Sequence, residues 1–238
     1  MKWSRAAAAL AFLALLGAAV GPSSGADLRA VVAPYLASVE RGAVGQVEGT
    51  AFAEPRSATG PPVPWEGMSV MLVPRSPEVE AELDAIKDIR RDSVTGYVNA
   101  YHRLAAARAE YERALAAAGG GTLVRGEVSD AAGRFRFTAV PAGAWLLVAW
   151  REVPHMTPGR KTKTKAGQAR DFRDNFELAG HTVVEYWRQD VDVRTGETVA
   201  LSLFDRNEWM TVVREELRLP TDATKPGATK GRRQGTTR

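Results

Sequence analysis

Short stretches of this chain alternate apolar and polar residues with the period of two that is typical of β-strands. Gly- and Pro-rich segments separate the stretches and mark turns. The strand-like stretches are 44–52, 68–73, 122–128, 134–138, 144–152, 181–193 and 198–204. A mainly β chain with seven or eight such strands and turn signals between them predicts an antiparallel β-sandwich.

A helical period interrupts the strands between residues 77 and 118. Ser76 can cap a helix, Pro77 suits its first position, and the Gly119–Gly121 run can end it. The two halves fall out of phase near Gly96, which predicts a kink or a hairpin. Apolar residues recur at three and four positions, as on one helical face: Val79, Leu83, Ile86, Tyr97, Tyr101, Leu104, Ala107, Tyr111 and Leu115. The pattern predicts a long helical insertion, 77–118, between the second and third strands.

The strand at 144–150 is apolar on both of its faces. Alternation places Trp145, Leu147 and Ala149 on one face and Leu146, Val148 and Trp150 on the other. An outer face this apolar should be covered. We predict that the insertion packs across it. A helix pair that projects away, and a coiled-coil seam between two protomers, are the alternatives.

Three segments give weaker signals. Residues 27–43 have near-helical spacing that Pro34 interrupts, and we expect a lead-in segment that packs on the body. Residues 209–217 fit either a strand or a short helix. Gly196 suits the positive φ of a hairpin turn, which predicts that 181–193 and 198–204 pair as a hairpin. We expect the sandwich domain over 44–219.

The first 26 residues have the pattern of a secretory signal peptide. Lys2 and Arg5 provide the positive start, and residues 6–20 form an uninterrupted apolar run. Ser24–Ala26 has the small residues of a cleavage site, so we expect cleavage before Asp27. The apolar run is shorter than the about 20 residues that span a bilayer; a retained anchor is the alternative. We therefore expect a secreted or periplasmic protein with no transmembrane segment in the mature chain.

Composition narrows the class of protein. The chain has no cysteine, which excludes disulfides, lipidation at an N-terminal cysteine, cysteine-ligated metals and thiol catalysis. The formal net charge is +4, but residues 1–26 carry +2 and the tail from 221 carries +4, which leaves −2 for the remainder. A nucleic-acid binder should carry its positive charge on the folded surface. We predict no nucleic-acid partner, and a disordered basic tail at 220–238.

Two blocks resemble the carboxypeptidase regulatory-like family, a transthyretin-like (prealbumin-like) β-sandwich. Gly45–Thr50, Gly60–Val63 and Met68–Leu72 are similar to its opening strand, its G-x-P-V loop and its second strand. Asp130–Phe137 and Val140–Leu147 are similar to its D-x-x-G-x-F-x-F and P-x-G-x-Y-x-L signature, with Trp145 where Tyr is usual. The resemblance covers about half of the mature chain. It implies an accessory or binding module without catalysis of its own, although the long insertion departs from the family's short connection.

The sequence contains no recognisable catalytic or metal-binding pattern. Neither H-E-x-x-H nor H-x-x-E occurs around His102, His155 or His181. His181 and Glu185 have the spacing of a helix face, but their segment is predicted as a strand. We therefore predict no catalytic residue, no metal and no cofactor.

Two sets of residues are candidates for ligand contact. A basic segment would attract an anionic polymer, phosphate groups or an acidic partner, unless it is a solvated loop. Its cations are Arg160, Lys161, Lys163 and Lys165. Trp65 and Trp187 would stack on sugars if exposed, whereas a sandwich core would bury them.

Together these features predict a non-catalytic, secreted or periplasmic β-sandwich module with a binding or structural role at the cell envelope. Its expected partner is an envelope polymer or another envelope protein. A carbohydrate-binding module and an accessory domain of a peptidase system are the alternatives.

Overall fold

The chain folds into two facing β-sheets, and a helical hairpin covers the outer side of one sheet. The structure is a computed structural model that describes residues 25–55, 60–92, 94–155 and 177–218. The predicted signal peptide, the basic segment and the C-terminal tail lie almost entirely outside these residues. The prediction of a β-sandwich with a helical insertion is confirmed.

The helices are α1 (Gly25–Glu40), α2 (Pro77–Asp92) and α3 (Val94–Ala117). The strands are β1 (Val44–Ala53), β2 (Val63–Pro64), β3 (Ser69–Pro74), β4 (Arg125–Val128), β5 (Arg134–Pro141), β6 (Gly143–His155), β7 (Glu177–Val193), β8 (Thr198–Phe204) and β9 (Met210–Arg218). The sequence pattern did not predict the two-residue β2, so the insertion follows the third strand of the described chain. Residues 210–218, which fitted a strand or a short helix, form a strand.

The first sheet is built around β1. Strand β5 pairs with it in antiparallel orientation, β2 pairs antiparallel with its last two residues, and β8 pairs with it in parallel. The second sheet has the order β4-β3-β6-β7-β9, with antiparallel pairing throughout. Its centre is the long pairing of β6 with β7, from Gly143 opposite Val193 to His155 opposite His181.

The predicted hairpin between residues 181–193 and 198–204 is wrong. Strand β7 belongs to the second sheet, whereas β8 crosses to the first sheet and lies beside β1, with Gln46 opposite Thr198. Gly196 has the expected positive φ of 74°. A tight turn reverses the chain, but it does not decide which strand edge the next segment joins.

The core between the sheets comes from the inward faces of the strands. Trp145 and Leu147 of β6 and Trp187 of β7 meet Phe135 and Phe137 of β5, and all five are buried. The D-x-x-G-x-F-x-F segment aims these Phe side chains inward. Asp130 Oδ1 accepts hydrogen bonds from the backbone N–H groups of Ala132 (2.9 Å) and Arg134 (2.8 Å), which bend the chain ahead of β5.

The predicted lead-in segment forms a regular helix, α1. Leu28, Val32 and Tyr35 are buried against the body. The Tyr35 ring meets the edge of Trp145 at a centroid distance of 5.0 Å, and its hydroxyl donates to the Ala144 carbonyl. Pro34 lies inside the helix without ending it. In the part of the chain that the structure describes, no helix has the length and apolar character needed to cross a bilayer.

The insertion is a hairpin of two helices: α2 ends at Asp92 and α3 begins at Val94, close to the predicted position. It packs across the outer face of the second sheet, as predicted, because that face is apolar. Leu83 and Ile86 of α2 and Leu104 and Leu115 of α3 are buried, whereas Tyr97 is exposed. The helix pair therefore covers the sheet as a third layer.

Candidate functional site

A cavity of about 230 Å³ lies between the helical hairpin and the second sheet. Strands β3, β6 and β7 form its floor, and α2 and α3 form its roof. Its lining is Met71, Val73, Val79, Leu83, Tyr101, Leu104, Ala105, Ala107, Arg108, Tyr111, Glu112, Leu146, Val148, Trp150, Glu152, Val184 and Tyr186. A space of this size is a candidate site, because protein interiors are close-packed and contain few voids larger than a water molecule. A second, more open depression of about 560 Å³ adjoins it and shares Met71, Arg108, Glu112 and Trp150.

The floor comes from the outer faces of strands that are apolar on both sides. Met71 lies opposite Val148, and Val73 lies opposite Leu146, so these four side chains form a continuous surface. The roof is not complementary to that surface everywhere. Helix α3 places the small side chain of Ala107 at a position that faces the sheet. A short side chain at a facing position leaves space that larger neighbours do not fill.

One end of the cavity is aromatic and charged. Trp150 and Tyr186 are cross-strand partners, and their rings are stacked with centroids 6.4 Å apart. The Arg108 guanidinium lies over the Trp150 ring at 4.7 Å and pairs with Glu112, with Nε and Oε1 2.7 Å apart. Half of the Arg108 side chain is exposed, so this end is the mouth of the cavity.

A second ion pair lies at the same mouth. Arg214 of β9 donates to Glu152 of β6, with Nη1 and Oε1 2.9 Å apart. A hydrogen bond with the Tyr101 side chain raises the pKa of Arg214. Each of the two carboxylates that line the cavity, Glu112 and Glu152, therefore has an arginine partner, and the mouth is close to neutral.

Two partly buried tyrosines in the cavity walls, Tyr111 and Tyr186, have strongly raised pKa values. Burial raises the pKa of both Tyr111 and Tyr186 to about 12, because desolvation disfavours the phenolate. The Tyr111 hydroxyl donates to the Pro74 carbonyl at 2.7 Å, which fixes α3 to the end of β3. Both side chains are neutral at physiological pH and present ring surface to the cavity.

An ion-pair network ties α2 to β7 beside the cavity. Arg188 pairs with Asp84 at 2.8 Å and with Glu80 at 3.3 Å. Arg75 joins Glu80 to Asp190, at 3.4 Å from each. Arg188 and Asp190 belong to β7, and Glu80 and Asp84 belong to α2. The network therefore holds the helical roof of the cavity on the sheet.

The two tryptophans considered either as stacking platforms for sugars or as core residues, Trp65 and Trp187, lie in the core. Trp65 is 5% exposed and Trp187 is 1% exposed, and their rings pack together with centroids 4.9 Å apart. The Arg151 guanidinium covers Trp65 at 4.1 Å. Of the two alternatives that the sequence left open for these side chains, the structure has the core position, and neither ring has a free face.

The other predicted contacts divide between two parts of the chain. Arg160, Lys161, Lys163 and Lys165 lie outside the described residues. His181 and Glu185 lie on β7, where strand geometry sets positions four apart about 13 Å from each other. Glu185 pairs instead with Arg151, at 2.5 Å. Within the described ranges, no group of three His, Asp or Glu residues is placed to hold a metal ion.

The pattern of apolar residues predicts the two layers that enclose the cavity but does not predict the cavity itself. The one sequence feature that could have indicated the cavity is Ala107, a small side chain on the sheet-facing side of α3, above strands with larger side chains. Such a mismatch is informative only when the register of helix against strand is known. That register is a property of the tertiary structure.

Comparison with known proteins gives distant likenesses. The crystal structure of a proposed carbohydrate-binding protein from Pseudomonas aeruginosa matches with 18% identity and a TM-score of 0.37, over 68% of this chain and 89% of that one. The pilus backbone protein RrgB of Streptococcus pneumoniae matches with 16% identity and a TM-score of 0.25, over 67% of this chain and 40% of its own. No family model and no curated protein matches the chain. At these TM-scores the likenesses carry no argument, and the fold rests on the strands described above.

Proposed function

We propose that this protein is an exported, non-catalytic binding module of the cell envelope and that the cavity under the helical hairpin is its binding site. The observation that supports this proposal most directly is the cavity itself, a space of about 230 Å³ with apolar walls inside a packed helix–sheet interface. Binding sites for small molecules are concave, mostly apolar and bordered by a few polar groups. The resemblance to the carboxypeptidase regulatory-like family supports a module that binds without catalysis.

Export is the second element of the proposal, and the N-terminal pattern of Lys2, Arg5 and the apolar run supports it. The test is fractionation of a bacterial host that expresses the full chain, followed by mass measurement. We expect a periplasmic or secreted product that begins at Asp27. A chain that lacks residues 2–26 is the matched control and should stay in the cytoplasm. Recovery of an uncleaved chain in the membrane fraction would instead support a retained anchor.

An anionic envelope polymer is the proposed partner of the basic segment. Arg160, Lys161, Lys163 and Lys165 place four cations within six residues. We expect binding to an anionic polymer to weaken between low and physiological salt, since screening shortens the range of exposed charges. Substitution of all four by Gln should abolish this binding, whereas the same substitution at four tail cations is the control for net charge. Binding that survives the first variant would refute this contact.

Ligand binding to the cavity is tested by a thermal-shift screen of the folded protein. Neutral, anionic and cationic small molecules are compared at equal concentration. A ligand that binds only the native state raises Tm in proportion to the logarithm of its concentration above Kd. The proposal expects at least one such ligand, and a screen without any would contradict it.

A further inference from the structure

We infer that the cavity binds a neutral, apolar group of about nine non-hydrogen atoms, either one aromatic ring system or a short aliphatic chain. The inference rests on the proposed function and names its ligand class. Three properties of the cavity carry it: its volume, the balance of charges at its mouth and the composition of its walls.

Volume sets the size of the ligand. A dry apolar cavity of about 150 Å³ binds benzene, which has six non-hydrogen atoms. The cavity of about 230 Å³ is half as large again. It therefore accommodates about nine such atoms, and it lies below the range of about 300–1,000 Å³ that is typical of drug-sized ligands. The cavity by itself is too small to enclose a lipid with two acyl chains or an oligosaccharide, and beyond Arg108 and Trp150 lies a separate, more open depression of about 560 Å³.

Charge balance excludes an ionic ligand class. Arg108 pairs with Glu112, and Arg214 pairs with Glu152, so the mouth offers neither an uncompensated cation nor an uncompensated anion. Deeper in the cavity the lining is aliphatic, with Val73, Leu83 and Leu146. Burying an unpaired charge against such walls is strongly unfavourable.

The walls favour a group with flat or extended apolar surface. Tyr101, Tyr111, Trp150 and Tyr186 supply ring surface to the lining, and the Tyr111 hydroxyl already donates to the Pro74 carbonyl. Arg108 lies over the outer face of Trp150, where it holds the ring between the cavity and solvent. A ligand that enters past this side chain exchanges water for aromatic and aliphatic contacts.

The experiment compares three probes of nearly equal size by titration calorimetry on the full chain. 1-Octanol and indole are neutral and have nine non-hydrogen atoms each, and octanoate carries a charge on the same chain as octanol. We expect octanol or indole, or both, to bind, and octanoate to bind at least tenfold more weakly. Equal or tighter binding of octanoate would overturn the inference of a neutral ligand.

A cavity-filling variant locates the site. Ala107→Leu places a larger side chain in the cavity, and Ala109→Leu makes the same change on the exposed face of α3. We expect Ala107→Leu to weaken octanol or indole at least tenfold, with an unliganded Tm equal to or above that of the wild type, and Ala109→Leu to leave affinity unchanged. Val79→Leu fills the same cavity from α2 and serves if Ala107→Leu does not fold.

The outcomes separate this inference from the proposed function. Binding that both cavity-filling variants leave unchanged would place the probe elsewhere and overturn the inference. If the thermal-shift screen finds a ligand but neither neutral probe binds, the ligand class is wrong and the binding function stands. If nothing raises Tm and no probe binds, both fail.

Discussion

Arg188 donates a hydrogen bond from Nη1 to Asp84 Oδ1 over 2.8 Å, and this contact joins strand β7 to helix α2. The Arg188 side chain is only 14% exposed and also reaches Glu80. It lies 5.8 Å from the centroid of the Trp209 ring, which it partly covers. The contact joins α2, in the roof of the cavity, to β7, in its floor. The same ion pair therefore stabilises the fold and maintains the shape of the cavity.

Arg188→Ala should lower the free energy of unfolding by about 1–2 kcal/mol, because it removes a guanidinium that is only 14% exposed and that pairs with both Asp84 and Glu80. Glu80 keeps Arg75 as a partner at 3.4 Å. Arg136→Ala is the matched control. Arg136 pairs with Glu48 at 3.0 Å, but its side chain is 62% exposed, and exposed pairs contribute about 0–1 kcal/mol. Urea denaturation at constant m-value measures both. Equal losses in the two variants would show that the network does not hold the hairpin.

Trp187→Ala should cost about 3–5 kcal/mol of unfolding free energy, as expected for removal of a fully buried aromatic side chain. Trp187 packs on Trp65, and its Nε1–H donates to the Phe204 carbonyl at 3.0 Å. Trp187→Phe keeps much of the volume and should cost less. Denaturant titration gives the ranking. A stable Trp187→Ala protein that had lost binding to a glycan array would restore the role that burial argues against.

Gly133→Ala should destabilise the fold by about 2 kcal/mol or more, since two effects add. Gly133 has φ of 72°, which L-residues adopt at a cost, and an added Cβ would lie 2.2 Å from the Ala51 carbonyl oxygen. Gly126→Ala is the control, because a Cβ at Gly126 meets nothing within 4 Å. Thermal unfolding monitored by circular dichroism compares them. A Tm for Gly133→Ala close to that of the control would contradict the argument.

Stability should fall as pH rises from about 10 to about 12. Tyr111 and Tyr186 have pKa values raised to about 12 in the folded protein, against an ordinary value of 10.0. Above pH 10 the unfolded chain releases these protons while the folded chain retains them, so deprotonation favours unfolding. The slope is about 1.4 kcal/mol per pH unit for each group.

Tyr186→Phe removes one of these phenols and should make the decline of stability with pH shallower. Unfolding free energies measured in urea at pH 9 and pH 11 give the comparison. An unchanged slope in Tyr186→Phe would mean that the phenol of Tyr186 titrates alike in the folded and unfolded chains.

Several parts of the structure follow from local sequence. The apolar faces of the strand around Trp145–Trp150 predicted that a cover was needed, and the helical stripe with Leu83 and Leu104 predicted what supplies it. These inferences held because period and burial are coupled: a residue's side of a helix or strand follows from its position in the chain. The end of α2 at Asp92 and the start of α3 at Val94 follow from local sequence for the same reason.

Local sequence did not determine which strands pair with each other. The pairing of β8 with β1 places Thr198 opposite Gln46, far apart in the chain, and no alternation pattern distinguishes that edge from the edge of β7. The burial of Trp65 and Trp187 also depends on tertiary packing, which brings their ring centroids to 4.9 Å from each other. Composition alone allowed either an exposed platform or a core.

The sequence by itself determined the main strands, the helical insertion and the need to cover one sheet on both sides, because the period of the apolar residues follows the faces of each element. The tertiary structure alone decided how those faces fit together. It buried the tryptophans, sent β8 to the other sheet and left a cavity where Ala107 faces the apolar floor. The cavity is the space left where the surface of the helices does not match the surface of the sheet, so it depends on the register of helix against strand.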